Sequence, residues 1–138
     1  LVRGADRRIV GLVTTSDLSL EFRTQAEPFL LLAEIENHLR RLIDGRYSRQ
    51  AIEAAQDIRD SAREVEDVSD LTFGEYIRLL QEPANWAVLG VDLDRAHFCS
   101  RLDRVRGIRN DVMHFNPDGT SEGELEILRD LVRLLQQM

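Results

Sequence analysis

The sequence predicts an all-α protein: a bundle of four to five helices behind a short N-terminal β-hairpin. Three observations carry this. Apolar residues recur at three- and four-residue steps along most of the chain. Helix-capping pairs stand where those stripes begin, at Thr72/Glu75 and Ser121/Glu124. Only the first eighteen residues break the pattern: Leu1-Val2, then a Gly4 and Asp6 turn, then Ile9-Val10-Gly11-Leu12-Val13 read as strand, turn, strand. A lone hairpin is marginal in water and needs something to pack on.

From Ser19 on the pattern is helical. Leu32, Ile35, Leu39, Leu42 and Ile43 stripe a long first helix, with Pro28 marking its true start or a kink and Gly45 its stop. Ser48 caps a second helix with the thin stripe Ala51, Ala55, Ile58, Ala62 and Val65. Thr72 opens a third, carrying Phe73, Tyr76, Ile77 and Leu80 and ended by Pro83; Trp86, Val88 and Leu89 follow in an apolar connection closed by Gly90. Asp92 or Asp94 caps a fourth helix bearing Phe98, Leu102, Val105, Ile108, Val112 and Phe115, stopped at Asn116-Pro117. The last helix carries Leu125, Leu128, Leu131, Val132 and Leu135.

At 138 residues, one domain with its own core is the expectation. A single cysteine, Cys99, and three scattered histidines leave neither a disulfide framework nor a metal-ligand cluster, and no cofactor is implied. No apolar run approaches a membrane span, so no membrane is expected and the location reads as cytoplasmic. The chain opens in what reads as mid-element, as a piece of a longer intracellular protein would.

The net charge of −7 argues against a protein coated in nucleic acid. All 18 basic residues are arginine, which a high-GC genome explains. Their distribution says more. Arg95, Arg101, Arg104, Arg106 and Arg109 face the single acid Asp103, a local +4; Arg40, Arg41, Arg46 and Arg49 against Asp44 give +3. Such segments can hold an anion locally on an acidic protein, or simply be a solvated face.

Arg109 falls in the apolar register of the fourth helix, where an arginine needs a partner or a purpose. An ion pair with Asp103, Asp111 or Glu36 is the structural alternative. His114 sits in the last turn, where a helix C-terminus favours imidazolium, and Asn110 one turn earlier can orient its ring. Arginine, amide and imidazole suffice for phosphodiester chemistry without a metal.

Arg109-Asn110-x-x-x-His114, late in a helix of such a bundle, resembles the signature of HEPN domains. The likeness runs from about Phe22 to the C-terminus and includes Glu36-x-x-Leu39-Arg40-x-Leu42-Ile43. These domains are helical bundles, commonly dimeric, and many are metal-independent endoribonucleases of toxin–antitoxin, abortive-infection and CRISPR-associated systems. The resemblance implies a homodimer cleaving single-stranded RNA to a 2′,3′-cyclic phosphate, with Arg109, Asn110 and His114 catalytic and Arg101, Arg104 and Arg106 on the RNA. An antitoxin or regulatory partner would fit. Five residues at ~100° each leave Arg109 and His114 about 140° apart on one helix, so arginine's length or pairing across a dimer axis must close the gap, and the resemblance implies a dimer cleft.

Ile9-Val10-Gly11-Leu12-Val13-Thr14-Thr15-Ser16-Asp17-Leu18 looks like the closing hairpin and helix entry of a CBS domain. That likeness implies residues 1–18 as the end of such a domain and 19–138 as the helical bundle. Thr14, Thr15 and Asp17 would touch an adenine nucleotide, but only together with an upstream part of the pocket. Asp17 as a helix cap is the plainer reading. The alternative for the whole chain is a non-catalytic dimerisation or partner-binding output domain of a nucleotide sensor.

Overall fold

A computed structural model describes the backbone of residues 2, 3 and 9–138 and the side chains from Gly11 onward. The all-α class stands: six α-helices make up the bundle among the described residues. The expected hairpin falls mainly on residues outside that description. Only extended backbone at Val2–Arg3 and Ile9–Gly11, paired antiparallel, belongs to it.

Helix α1 (Thr15–Ile43) begins earlier than the periodicity predicts, because Thr14 caps it and Asp17 returns the bond. The Thr14 hydroxyl accepts from the Asp17 N–H at 3.1 Å, and the Asp17 carboxylate accepts from the Thr14 N–H at 2.8 Å. The expected boundary at residue 18 thus lies inside α1. Pro28 neither starts nor interrupts the helix. It is the first of the buried stripe Pro28, Leu32, Ile35, Leu39 and Ile43; everything in α1 before Ala26 is exposed. Gly45, at φ 69°, turns the chain as expected.

Helix α2 (Arg49–Ala55) is shorter than its stripe. Ser48 caps it as expected, but the chain leaves the helix at Gln56 and makes two 3₁₀ turns, at Ile58–Asp60 and Val68–Asp70. Ile58, placed in the apolar stripe by its spacing, is 89 % exposed. Local side chains explain the break. The Gln56 amide donates to the carbonyls of Asp60 and Arg63, both at 2.7 Å, and the Asp57 carboxylate accepts from the Arg59 N–H at 3.0 Å. Such bonds offer the backbone an alternative to the helical ladder.

Helix α3 (Phe73–Gln81) opens on the expected Thr72/Glu75 box. The apolar connection after it is in fact a helix, α4 (Pro83–Leu89): Pro83 sits in its first turn, where a missing N–H costs nothing, and Gly90 closes it at φ 63°. Trp86 of α4 packs on Phe98, ring centroids 5.3 Å apart. Helix α5 (Arg95–Met113) is capped by Asp94, and α6 (Glu122–Gln136) by Ser121 with Glu124.

α1 lies along α6, and α3 along α5. Arg129 of α6 meets Glu27 of α1 at 2.8 Å, and the Gln136 amide donates to Glu34 at 2.9 Å. The core gathers Leu32, Ile35 and Leu39 with Tyr76, Leu80, Phe98, Leu102 and Leu128. None of the described helices is long and apolar enough to cross a membrane.

Candidate functional site at the end of α5

The final turns of α5 carry the motif, and its three residues go to different places. Val105, Ile108 and Val112 are buried and fix the helix's rotation. Arg109, one position round from Ile108, turns toward α1. Its Nε donates to Glu36 Oε1 at 2.6 Å, with 31 % of the arginine side chain exposed and 20 % of the glutamate. Glu36 is therefore the partner among the three anticipated carboxylates. The pair belongs to a longer chain of contacts. Arg40 Nη2 lies 3.7 Å from Glu36, Arg40 Nε donates to the Tyr76 hydroxyl at 3.1 Å, and that hydroxyl donates to the Val68 carbonyl at 3.0 Å. Burial pushes the Tyr76 hydroxyl's pKa up, against the pull of Arg40.

His114 is the C-cap of α5, exposed, its backbone N–H on the Asn110 carbonyl at 2.9 Å. Asn110 is also exposed. The two are joined through that backbone bond; among the described residues neither side chain makes a hydrogen bond, so the expected Asn110 hold on the imidazole is not formed here. The chain then ends the helix in a Schellman turn. Phe115 N–H bonds the Val112 carbonyl at 3.1 Å and Asn116 N–H the Asp111 carbonyl at 3.1 Å, with Phe115 at φ 52°. Phe115 thus leaves the apolar register the sequence assigns it: it lies beyond the helix, 78 % exposed, 6.2 Å from the ring of Phe29.

The remaining arginines divide. Arg95 donates to the Gln81 carbonyl at the end of α3. Arg106 meets Asp103 at 2.7 Å and lies over Gly74. Arg101 and Arg104 have no carboxylate partner among the described residues. Arg106, Asn110 and His114 follow one another at four-residue steps, each about 40° round from the last, so they span about 80° of α5, while Arg109 lies about 60° from Arg106 and about 140° from His114. The spacing was visible in the sequence, hidden behind the better-known pairing of Arg109 with His114.

At the start of α1, capping brings Thr14 and Asp17 together and holds the Asp17 carboxyl below the usual carboxylate range, through the Thr14 hydroxyl and N–H. Thr15 is the first helical residue and is exposed. Cys99 is buried, which raises its thiol pKa, while neighbouring His97 is exposed. The chain matches no family model, no curated protein and no solved structure.

Proposed function

We propose that the bundle is a metal-independent endoribonuclease of HEPN type, acting on single-stranded RNA as a homodimer. The observation that carries this reading is an exposed imidazole at the C-terminal end of α5, its side chain without a hydrogen-bond partner among the described residues, one turn from Asn110 and about two from Arg106. In the reaction, a ribose 2′-hydroxyl attacks the adjacent phosphate, His114 takes up its proton and returns one to the leaving 5′-oxygen, and arginine stabilises the phosphorane. The products are a 2′,3′-cyclic phosphate and a 5′-hydroxyl. Asn110 contacts the phosphate or steadies His114. Arg109 of the same chain is turned away and paired with Glu36, so the guanidinium beside His114 is Arg106, or Arg109 from the second α5 of a dimer cleft. Arg101 and Arg104, free of carboxylates among the described residues, line the RNA path. On this reading the domain is a cytoplasmic toxin or defence effector held by an antitoxin or regulatory partner and gated by an upstream CBS module that binds adenine nucleotide, with Thr14, Thr15 and Asp17 at the junction.

One observation favours a second reading. Arg109 is already satisfied by Glu36 inside a network reaching Tyr76, as a purely structural arginine would be. The domain is then a non-catalytic, partner-binding output module. Labelled single-stranded RNA incubated with the protein in EDTA separates the two. Nuclease activity gives cyclic-phosphate ends, lost in His114→Ala with a stability change within about 1 kcal/mol. A double variant, Arg109→Ala with His114→Ala, that cleaves as fast as the parent ends the nuclease reading.

A further inference from the structure

Beside the α5 terminus, on the side away from Arg109, the exposed first half of α1 and the turn joining α5 to α6 enclose an open groove of about 560 Å³. Its floor is apolar: Pro28, Ile108 and Val112 are buried or nearly so. Phe29 and Phe115 stand at its wall, their rings 6.2 Å apart and inclined at 42°, with Phe115 largely in solvent.

The rim has one sign. Glu21, Asp111, Asp118 and Glu124 line it, none of them in an ion pair among the described residues, and no arginine lines it at all. Four carboxylates without an ion-pair partner among the described residues, around an apolar floor, repel a polyanion and complement a cationic, amphipathic segment. The volume lies in the range of sites that take a few side chains, about 300–1,000 Å³.

We propose that this groove docks a basic amphipathic segment of a partner protein. A large aliphatic or aromatic side chain enters against Phe29 and Phe115, and arginine or lysine side chains meet Glu21, Asp111 and Asp118. The inference does not depend on the nuclease reading, since the groove repels RNA and uses none of the residues assigned to catalysis.

The test titrates the isotope-labelled full chain with a helical peptide of about fourteen residues, four turns long, bearing Leu and Phe on one face and Arg on the other. A counterpart carries Glu at every Arg. The basic peptide is expected to bind at about micromolar Kd and to shift the amide signals of Glu21, Thr24 and Phe29; the acidic one is not. Glu21→Lys with Asp118→Lys, both exposed and expected to melt like the parent, weakens the basic peptide at least about tenfold, a loss of roughly 1.4 kcal/mol. Phe115→Ala weakens it with charge unchanged. The proposal is overturned if the two peptides bind alike, if charge reversal changes nothing, or if about 1 mM basic peptide leaves those signals unmoved. It is also overturned if single-stranded RNA shifts Glu21 and Phe29 in its place. Sedimentation as a dimer that Phe115→Asp dissolves would give the groove to a second copy of this chain instead.

Discussion

Replacing Glu75 by alanine should destabilise the protein more than any other single carboxylate change. Glu75 is 2 % exposed, the one charged residue in the buried set. Arg63 Nη2 reaches its two oxygens at 2.6 and 2.7 Å, and the backbone N–H groups of Asp57 and Thr72 each donate to it at 2.8 Å. One carboxylate therefore ties the start of α3 to both ends of the irregular segment between α2 and α3. Alanine leaves Arg63 Nη2 and two backbone donors without their acceptor, although Arg63 keeps Asp60 on Nε and the Asp70 carbonyl on Nη1. Breaking a buried pair by deleting one member costs about 3–5 kcal/mol, and orphaned buried donors alone account for about 1–3 kcal/mol each. An unfolding entropy of about 2.1 cal/mol/K per residue gives roughly 0.29 kcal/mol/K for this chain, so the melting temperature should fall by about 10–17 °C. Thermal and urea melts followed by circular dichroism read this directly. A fall under about 3 °C would mean that the carboxylate does not hold the segment. The pH dependence checks the same point. Burial raises the Glu75 pKa, but the Thr72 and Asp57 N–H groups and Arg63 bring it below the usual range. A depressed folded pKa stabilises fully above the unfolded value, about 4.3, and that contribution is lost as pH falls through the folded pKa. Glu75→Gln should flatten the acid limb of the stability curve and leave the neutral-to-alkaline limb parallel to the parent's.

Tyr76→Phe removes the hydroxyl linking Arg40 to the Val68 carbonyl and should cost about 1–2 kcal/mol in urea melts; an unchanged midpoint would mean that water replaces it freely. Beginning the chain at Ser19 should preserve a single cooperative transition, because burial in α1 starts only around Ala26 and Pro28; loss of cooperativity would make the N-terminal segment part of the bundle. Glu36→Gln frees Arg109 from its strong partner. RNA cleavage that rises, or holds while stability falls, assigns Arg109 to the reaction, whereas lower stability with no cleavage in parent or variant assigns it to the scaffold.

Four of the six helix starts were legible because capping is local. Ser48, Thr72, Asp94 and Ser121 each bond within three residues of themselves, so a short window of sequence contains the whole interaction. The segment after α2 was not legible for the opposite reason. Ala51, Ala55, Ile58, Ala62 and Val65 keep a helical period, but the Asp57 N–H is claimed by Glu75, eighteen residues away, and no periodicity reports that. Pro83 was read as an end only, although proline in a first turn marks a beginning equally well, and Gly90 seven residues on was the matching stop. Phe115 was assigned to the helix by its spacing from Val112. The Asn116-Pro117 stop reaches back further, and the Schellman turn places the ring at positive φ, outside the core.

The candidate site shows the same division between local and distant causes. That His114 is exposed beside Asn110 follows from a helix ending before Asn116-Pro117, and the sequence contains that ending. That Arg109 faces Glu36 depends on how α5 lies on α1, seventy-three positions away in the chain. Angular arithmetic on a helix already separates Arg109 from His114 by about 140°; it also keeps Arg106, Asn110 and His114 within about 80° of one another. An arginine in an apolar register is therefore a poor guide to which arginine serves an exposed histidine. The register marks the cation that packing must neutralise, and here an acid on α1 does so. The cation of the motif region on the solvent face is Arg106, whose Asp103 partner is exposed and one turn away. An exposed pair of that kind is worth little in water, so a phosphate can displace the Asp103 carboxylate from Arg106 far more easily than it can displace Glu36 from Arg109.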